Sequence, residues 1–157
     1  MNRRDAIKRF AAASSALALP SHAQAGRILL GQSAAFSGPA SALGEQFKKG
    51  AQLLFDRVNA RGGINGRSID LKSMDDGYEP DRCAANTNKL IADGVFALFG
   101  YIGTPTSVAA LPLVVKEKIP FIAPFTGAMA LREPFNRYAF HVRASYNDET
   151  ALIVRQF

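Results

Sequence analysis

Three short segments of this sequence combine glycine, hydroxyl side chains and an aromatic ring, a combination suited to holding a small anion. They are AAFSGPAS at residues 34–41, YIGTPTS at 101–107 and PFTGA at 124–128. Glycine lets a ligand approach the backbone, and free N–H groups at a helix start, with Ser or Thr hydroxyls, bind negative charge. Aromatic rings such as Phe36, Tyr101 and Phe125 add apolar walls. For any single segment, the alternative is that these are only turn and capping residues.

The elements around these segments alternate between strand and helix patterns. Apolar runs at residues 27–31, 95–100 and 119–125 predict strands that end at the three segments, and residues 68–74 and 137–145 predict two more. Apolar residues at helical spacing predict an amphipathic helix over 44–58, and further helices begin near Pro80, Pro105 and Asn147. The alternation predicts an α/β fold, a parallel open sheet with helices on both faces. Ligands bind such sheets beyond the carboxyl ends of the strands. Three such segments on one rim therefore favour a site for a small solute that carries a carboxylate.

Composition and charge exclude several other classes. The chain has 157 residues, is 48% hydrophobic and 20% charged, and carries a net charge of +6, half of it within residues 1–25. The remainder has no basic run with interleaved aromatic residues, so no nucleic-acid partner is expected. No apolar run is long enough to span a bilayer. Cys83 is the single cysteine, which rules out an internal disulfide and is typical of a small buried residue.

Residues 1–25 have the three parts of a secretory signal peptide. A basic start precedes a short apolar stretch over residues 10–19, and Ala23-Gln24-Ala25 is a triplet of the Ala-x-Ala type that signal peptidase cleaves. The pair Arg3-Arg4 resembles a twin-arginine signal, while the general secretory (Sec) route stays equally open. Both routes predict a mature chain that begins near Gly26 in the periplasm.

No enzyme is expected from the residues that could do catalysis. The sequence lacks a G-x-G-x-x-G fingerprint after the first strand and lacks a P-loop. His141, inside an apolar stretch, favours a structural role over that of a base. Asp75-Asp76 could form an acid–base pair, but adjacent residues at a strand end usually point apart, which favours turn or capping roles. No Cys/His cluster predicts a metal, and no cofactor is expected.

Long stretches of the mature chain resemble one family, the branched-chain amino-acid (leucine/isoleucine/valine-binding type) ABC transporter substrate-binding proteins of the type I periplasmic fold. The resemblance rests on SGPASALGEQFKKGAQLLFDRVNARGGINGRSIDL, DDGYEPDRCAANTNKLIADGV, LFGYIGTPTSVAALPLV and IPFIAPFTGA, in the family's order. NARGGINGR followed by DDGYEPD is the most specific part.

The resemblance implies two α/β lobes that close on a ligand, with lobe 1 at residues 26–138. Residues 139–157 then form the crossing strand and the start of lobe 2, and the rest is absent, so we expect a partial chain with impaired binding. The resemblance implies a hydroxyl from Thr104 for the ligand carboxylate, and backbone and hydroxyl groups from Phe125, Thr126 and Gly127. Other implied or candidate cleft residues are Phe36, Leu43, Tyr101, Gly103 and Tyr146.

The implied function is solute binding for an ABC importer, with an inner-membrane permease as partner. The ligand would be an amino acid or a related aromatic or aliphatic carboxylate, because Phe125 is bulkier than the small residues often found at its position. Two alternatives stay open at this point. One is a sensor or regulator lobe of the same fold, and the other is an inactive fragment.

Overall fold

The computed structural model describes residues 26–156, and the predicted signal peptide lies outside them. Five strands and four helices alternate along the chain: β1 Ile28–Ala34, α1 Ser41–Asn59, β2 Ile69–Asp75, α2 Pro80–Ala92, β3 Ala97–Phe99, α3 Thr104–Glu117, β4 Phe121–Ile122, a 3₁₀ turn Met129–Leu131, β5 Ala139–Phe140 and α4 Tyr146–Gln156. The strands form one sheet of order β2-β1-β3-β4-β5, in which each neighbouring pair is parallel. The predicted fold class is confirmed.

Helices cover both faces of this sheet because successive strand residues point to opposite sides. In β3, Leu98 packs with α2 and α3 in one core cluster, while its neighbour Ala97 packs with Phe55 of α1 in a second cluster. In β4, Phe121 and Ile122 divide between the same two clusters. The sheet is therefore the middle layer between α1 on one side and α2 with α3 on the other.

The last two strands are much shorter than the sequence predicts. Apolar character suggested strands over residues 119–125 and 137–145, but β4 and β5 have two residues each. Pro120 and Pro124 have no N–H to donate, and Ala123 between them has a φ of 53°. Among the described residues β5 pairs with β4 alone, so the short β4 also limits β5.

Within residues 26–156, none of the helices is both long and apolar enough to cross a membrane.

Candidate functional site

The segments that follow β1, β3 and β4 lie at one edge of the sheet, as the sequence predicts. These three strands are neighbours and run parallel, so their carboxyl ends point the same way. An isolated parallel bridge between Ile102 and Phe125 continues the pairing of β3 and β4 into their loops. This bridge brings the two hydroxyl-bearing loops together.

Thr104, Thr126 and Tyr146 form a connected group of hydroxyls at this edge. The hydroxyl oxygens of Thr104 and Thr126 are 2.6 Å apart, and the Thr126 hydroxyl donates to the Tyr146 phenol oxygen at 3.4 Å. The N–H of Ala128 donates to the Thr126 oxygen at 3.1 Å. Either hydroxyl can be the donor between the two threonines, and the phenol oxygen of Tyr146 only accepts within the group, so its O–H is free to donate outward.

Two backbone N–H groups next to these hydroxyls have no acceptor within residues 26–156. They belong to Thr104, the first residue of α3, and to Gly127. The N-terminal end of a helix of this length carries partial positive charge, and unpaired N–H groups there attract anions. Hydroxyls and N–H groups together therefore offer a carboxylate several donors and no competing negative charge of their own.

Gly103 and Gly127 are needed because aromatic side chains pack directly on their backbone. A Cβ on Gly127 would lie 2.6 Å from Cδ1 of Tyr146. A Cβ on Gly103, whose φ is 98°, would lie 2.4 Å from Cε2 of Tyr78. Tyr78 is a site neighbour that the sequence reasoning missed. Its signal was the D-x-Y spacing, since Asp76 Oδ1 accepts the N–H of Tyr78 in a local turn.

Phe125 and Tyr146 flank one cation, the guanidinium of Arg143. The guanidinium carbon lies 5.3 Å from the centroid of each ring. Glu149 of α4 binds the same guanidinium through both carboxylate oxygens. Arg143 and Glu149 were also missed, because a contact across a strand-to-helix boundary leaves no periodic signal in the sequence.

Hydrogen bonds from Thr126 and Thr104 lower the pKa of the Tyr146 phenol, and the charge of Arg143 acts in the same direction. A phenol of lowered pKa is a better hydrogen-bond donor to a carboxylate. The electrostatics of the group thus favour an anionic partner.

Phe36 sits on the neighbouring loop, which Asp75 at the end of β2 organises. The Asp75 carboxylate accepts hydrogen bonds from the N–H groups of Phe36, Ser37 and Gly77. The Phe36 ring lies 5.0 Å below the ammonium of Lys48. Leu43, the other residue implied to face a ligand side chain, is 49% exposed in the first turn of α1.

Tyr101 does not belong to the site, which corrects the expectation that it forms an apolar wall. Its side chain is fully buried and meets Phe121 edge-on, with ring centroids 5.0 Å apart. Its hydroxyl lies 3.0 Å from the hydroxyl of Thr87 in α2, and burial raises the pKa of the phenol. Tyr101 therefore points into the core between the sheet and α2.

Asp75, Asp76 and His141, the residues considered for catalysis, all make contacts with other groups of the fold. Asp75 and Asp76 point apart: Asp75 faces Ser37 and Arg82, whereas Asp76 is fully buried and accepts from Ser33 at 2.7 Å. The His141 ring lies 3.2 Å from the carbonyl oxygen of Leu131. Burial lowers the pKa of His141, and the charge of Arg132 adds to the effect.

Comparison with known proteins places this geometry in a family. The sequence profile of the family described as periplasmic binding protein matches residues 27–157. A Leu/Ile/Val-binding protein homolog from Brucella abortus is 32% identical over 99 residues, which cover 63% of this chain and 27% of that protein.

Two solved structures share the fold. A possible leucine/isoleucine/valine-binding protein from Rhodopirellula baltica has a TM-score of 0.80 and 39% identity, over 84% of this chain and 36% of that one. A fatty acid ABC transporter substrate-binding protein from Thermomonospora curvata has a TM-score of 0.73 and 26% identity, over 83% of this chain and 34% of its own. The chain thus spans about a quarter to a third of the length of these three proteins. It belongs to the periplasmic binding protein family, whose members are solute-binding proteins rather than enzymes and work outside the cytoplasm.

Proposed function

We propose that this chain supplies the first-lobe half of a site for a small carboxylate-bearing solute, in the substrate-binding component of an ABC importer. Residues 26–138 form lobe 1, and residues 139–157 form the crossing strand and the start of lobe 2. Residues 1–25 direct export to the periplasm by the Sec or twin-arginine route. The membrane partner is the permease of the importer.

The observation that carries this proposal is the group of hydroxyls formed by Thr104, Thr126 and Tyr146. The Tyr146 O–H and the N–H groups of Thr104 and Gly127 are three donors that the group itself does not use, and the Thr104 O–H becomes a fourth when Thr126 donates to it. Donors grouped in this way match the two oxygens of a carboxylate, which only accept hydrogen bonds. Gly103 and Gly127 leave room for the Tyr78 and Tyr146 rings on their backbone, and Phe36 and Phe125 provide apolar surface.

The ligand is an amino acid or a related carboxylate with an apolar tail. The relatives are named for leucine, isoleucine and valine or for a fatty acid, and these compounds share a carboxylate and an apolar chain. A site that recognises the carboxylate in this lobe accommodates both classes. The contacts that choose between them then lie elsewhere in the cleft.

Thr104→Val is the test of this proposal, because it removes one hydroxyl and keeps the shape of the side chain. A hydrogen bond to a charged group contributes about 1.5–3 kcal/mol, so affinity is expected to fall roughly tenfold or more. Titrations of the full chain with L-leucine and with octanoate would be followed by the amide NMR signals of Thr104 and Gly127, which report weak binding directly.

Two controls accompany this titration. Thr150→Val removes an exposed threonine hydroxyl that bonds carbonyls of its own helix, and it should leave the affinity unchanged. L-leucinamide lacks the carboxylate and should not shift the two amides. The proposal is wrong if neither acid shifts them, or if both acids bind Thr104→Val as well as the original chain.

A further inference from the structure

The position of Tyr146 is not explained by apolar packing of its helix. Tyr146 is the first residue of α4, and none of the α4 residues is buried. The large apolar side chains Leu152, Ile153 and Val154 are all more than half exposed. The contacts that hold the start of α4 against the sheet are therefore polar ones around its first turn.

Arg143 and Glu149 make the most extensive of these contacts. Arg143 Nε donates to Glu149 Oε1 at 2.9 Å, and Arg143 Nη2 donates to Oε1 at 2.6 Å and to Oε2 at 2.7 Å. The two residues stand three positions before and three positions after Tyr146, so their pairing closes a short loop around it. The paired guanidinium lies against both the Phe125 and Tyr146 rings.

Other bonds fix the two ends of this loop. Arg132 Nη2 donates to the carbonyls of Arg143 and Ala144 at 2.9 and 3.2 Å. Ser145 and Asp148 bond each other reciprocally across the first turn of α4, as in a capping box. The N–H of Tyr146 donates to the carbonyl of Gly127 at 2.8 Å. The Tyr146 ring is thus confined between the backbone of Gly127 and the guanidinium of Arg143.

We propose that Arg143 and Glu149 are positioning residues, which hold the Tyr146 phenol against the Thr104–Thr126 pair as the third hydroxyl of the carboxylate site. Their relevance to ligand binding rests on the proposed function, whereas their effect on Tyr146 does not. Only arginine fits this role, because its planar guanidinium binds a carboxylate along one edge while its face stacks on an aromatic ring. A lysine would keep the charge, but it could neither bind the carboxylate along a planar edge nor stack a planar face on an aromatic ring.

The pairing differs from an ordinary surface ion pair in what surrounds it. Exposed pairs between long side chains contribute little to stability. The Arg143 and Glu149 side chains are only 30% and 36% exposed, and the guanidinium contacts two rings. Arg137 offers a matched comparison, since its guanidinium lies 5.8 Å from the Tyr138 ring, outside the site, and it makes no salt bridge within residues 26–156. Arg137→Met is therefore the control variant.

Two readouts of the ligand-free full chain test the proposal. The first is the pKa of Tyr146, from near-ultraviolet absorbance of tyrosinate, since the chain has four tyrosines and no tryptophan. Tyr146→Phe assigns the titration, and Tyr101 titrates last because burial raises its pKa. Arg143 is the charged group that acts on the Tyr146 pKa, Glu149 pairs with Arg143, and Asp148 bonds Ser145 beside Tyr146. The second readout is the NMR cross-peak between the Tyr146 ring and the Gly127 α-protons.

Arg143→Met should raise the pKa of Tyr146 toward its ordinary value and abolish the cross-peak. Glu149→Ala keeps the cation but removes the carboxylate that orients it, so it should also abolish the cross-peak. Arg137→Met should change neither readout. Circular dichroism checks that each variant folds. If Arg143→Met fails to fold, the cross-peak in Glu149→Ala tests the proposal instead. The proposal is overturned if the cross-peak persists in the folded variants with the Tyr146 titration unchanged, and this outcome leaves the proposed carboxylate site itself untouched.

Discussion

Gly44→Ala is expected to destabilise the fold by about 3 kcal/mol or more. Gly44 lies in the first turns of α1, where the helix crosses the chain that leaves β1. A Cβ added at Gly44 would stand 1.9 Å from the carbonyl oxygen of Ala35 and 2.9 Å from its carbonyl carbon. Both atoms are backbone, so no side-chain rotation can relieve the overlap, and α1 must move away from the sheet.

Gly50→Ala provides the control within the same helix. Gly50 is exposed and has no atom within 4 Å of an added Cβ. Alanine has the higher helix propensity, so this variant should gain about 0.5–1 kcal/mol. Urea unfolding followed by circular dichroism measures both variants. Equal stability of Gly44→Ala and Gly50→Ala would contradict the close packing of α1 on the chain after β1.

The displaced helix would also disturb the candidate site. The added Cβ of Gly44 would lie 3.4 Å from Cδ1 of Phe36, and Lys48 one turn further along α1 lies over the same ring. The loop after β1 would shift with the helix. Weaker binding by Gly44→Ala would therefore report a lost fold and not a lost contact, which is why Thr104→Val is the better probe of the site.

The layers of this fold could be predicted from the sequence, because the periodicity of apolar residues and the Gly and Pro residues that end helices and strands act locally. The amphipathic pattern over residues 44–58 corresponds to α1 at Ser41–Asn59, and the alternation of elements predicted the parallel sheet. The edge at which the hydroxyl-bearing loops meet followed from topology alone. Features that depend on neighbouring residues in the chain, or on the direction of the strands, could therefore be predicted from the sequence.

Contacts between residues that are distant in the chain were not accessible in the same way. An aromatic residue after a strand looks the same whether it lines a cleft or fills the core, and buried Tyr101 meets Thr87 of α2, which is distant in the sequence. The Arg143–Glu149 pair depends on where β5 ends and α4 begins. The lengths of β4 and β5 depend on the φ of Ala123 and on pairing between them. These features follow from tertiary geometry, which composition and periodicity do not contain.

Asp75→Asn is expected to cost about 2–4 kcal/mol at neutral pH, because one carboxylate organises the whole turn beside β2. Asp75 Oδ1 accepts from the N–H groups of Phe36, Ser37 and Gly77, and Oδ2 accepts from the Ser37 hydroxyl at 2.7 Å and from Arg82 at 2.9 Å. An amide at this position loses the charge and turns N–H groups toward donors. The loop that carries Phe36 is then released from β2.

The effect of Asp75 should depend on pH in a defined direction. Burial alone would raise the pKa of Asp75 from its ordinary value of 3.8, but the hydrogen bonds from Ser37, Phe36, Gly77 and Arg82 outweigh it and hold the pKa well below that value. A carboxyl with a lowered pKa in the folded state stabilises the fold above its unfolded pKa. This stabilisation is lost as the pH falls from 3.8 through the lower folded value, so the gap between the original chain and Asp75→Asn should narrow in acid.

Asp76→Asn is the matched control one residue away, and the pH dependence of stability at this position should have the opposite sign. Burial raises the pKa of Asp76, and the hydrogen bonds from Ser33 and Tyr78 offset this only in part. The unfolded chain releases this proton more readily, so the original side chain loses stability relative to asparagine as the pH rises from 3.8 through the raised folded pKa. An asparagine keeps the oxygen for Tyr78 and can donate to Ser33, so Asp76→Asn should be neutral or stabilising at neutral pH. Unfolding free energies of both variants across the acidic range measure these slopes, and slopes of the same sign would refute the opposite environments of the two adjacent carboxyls.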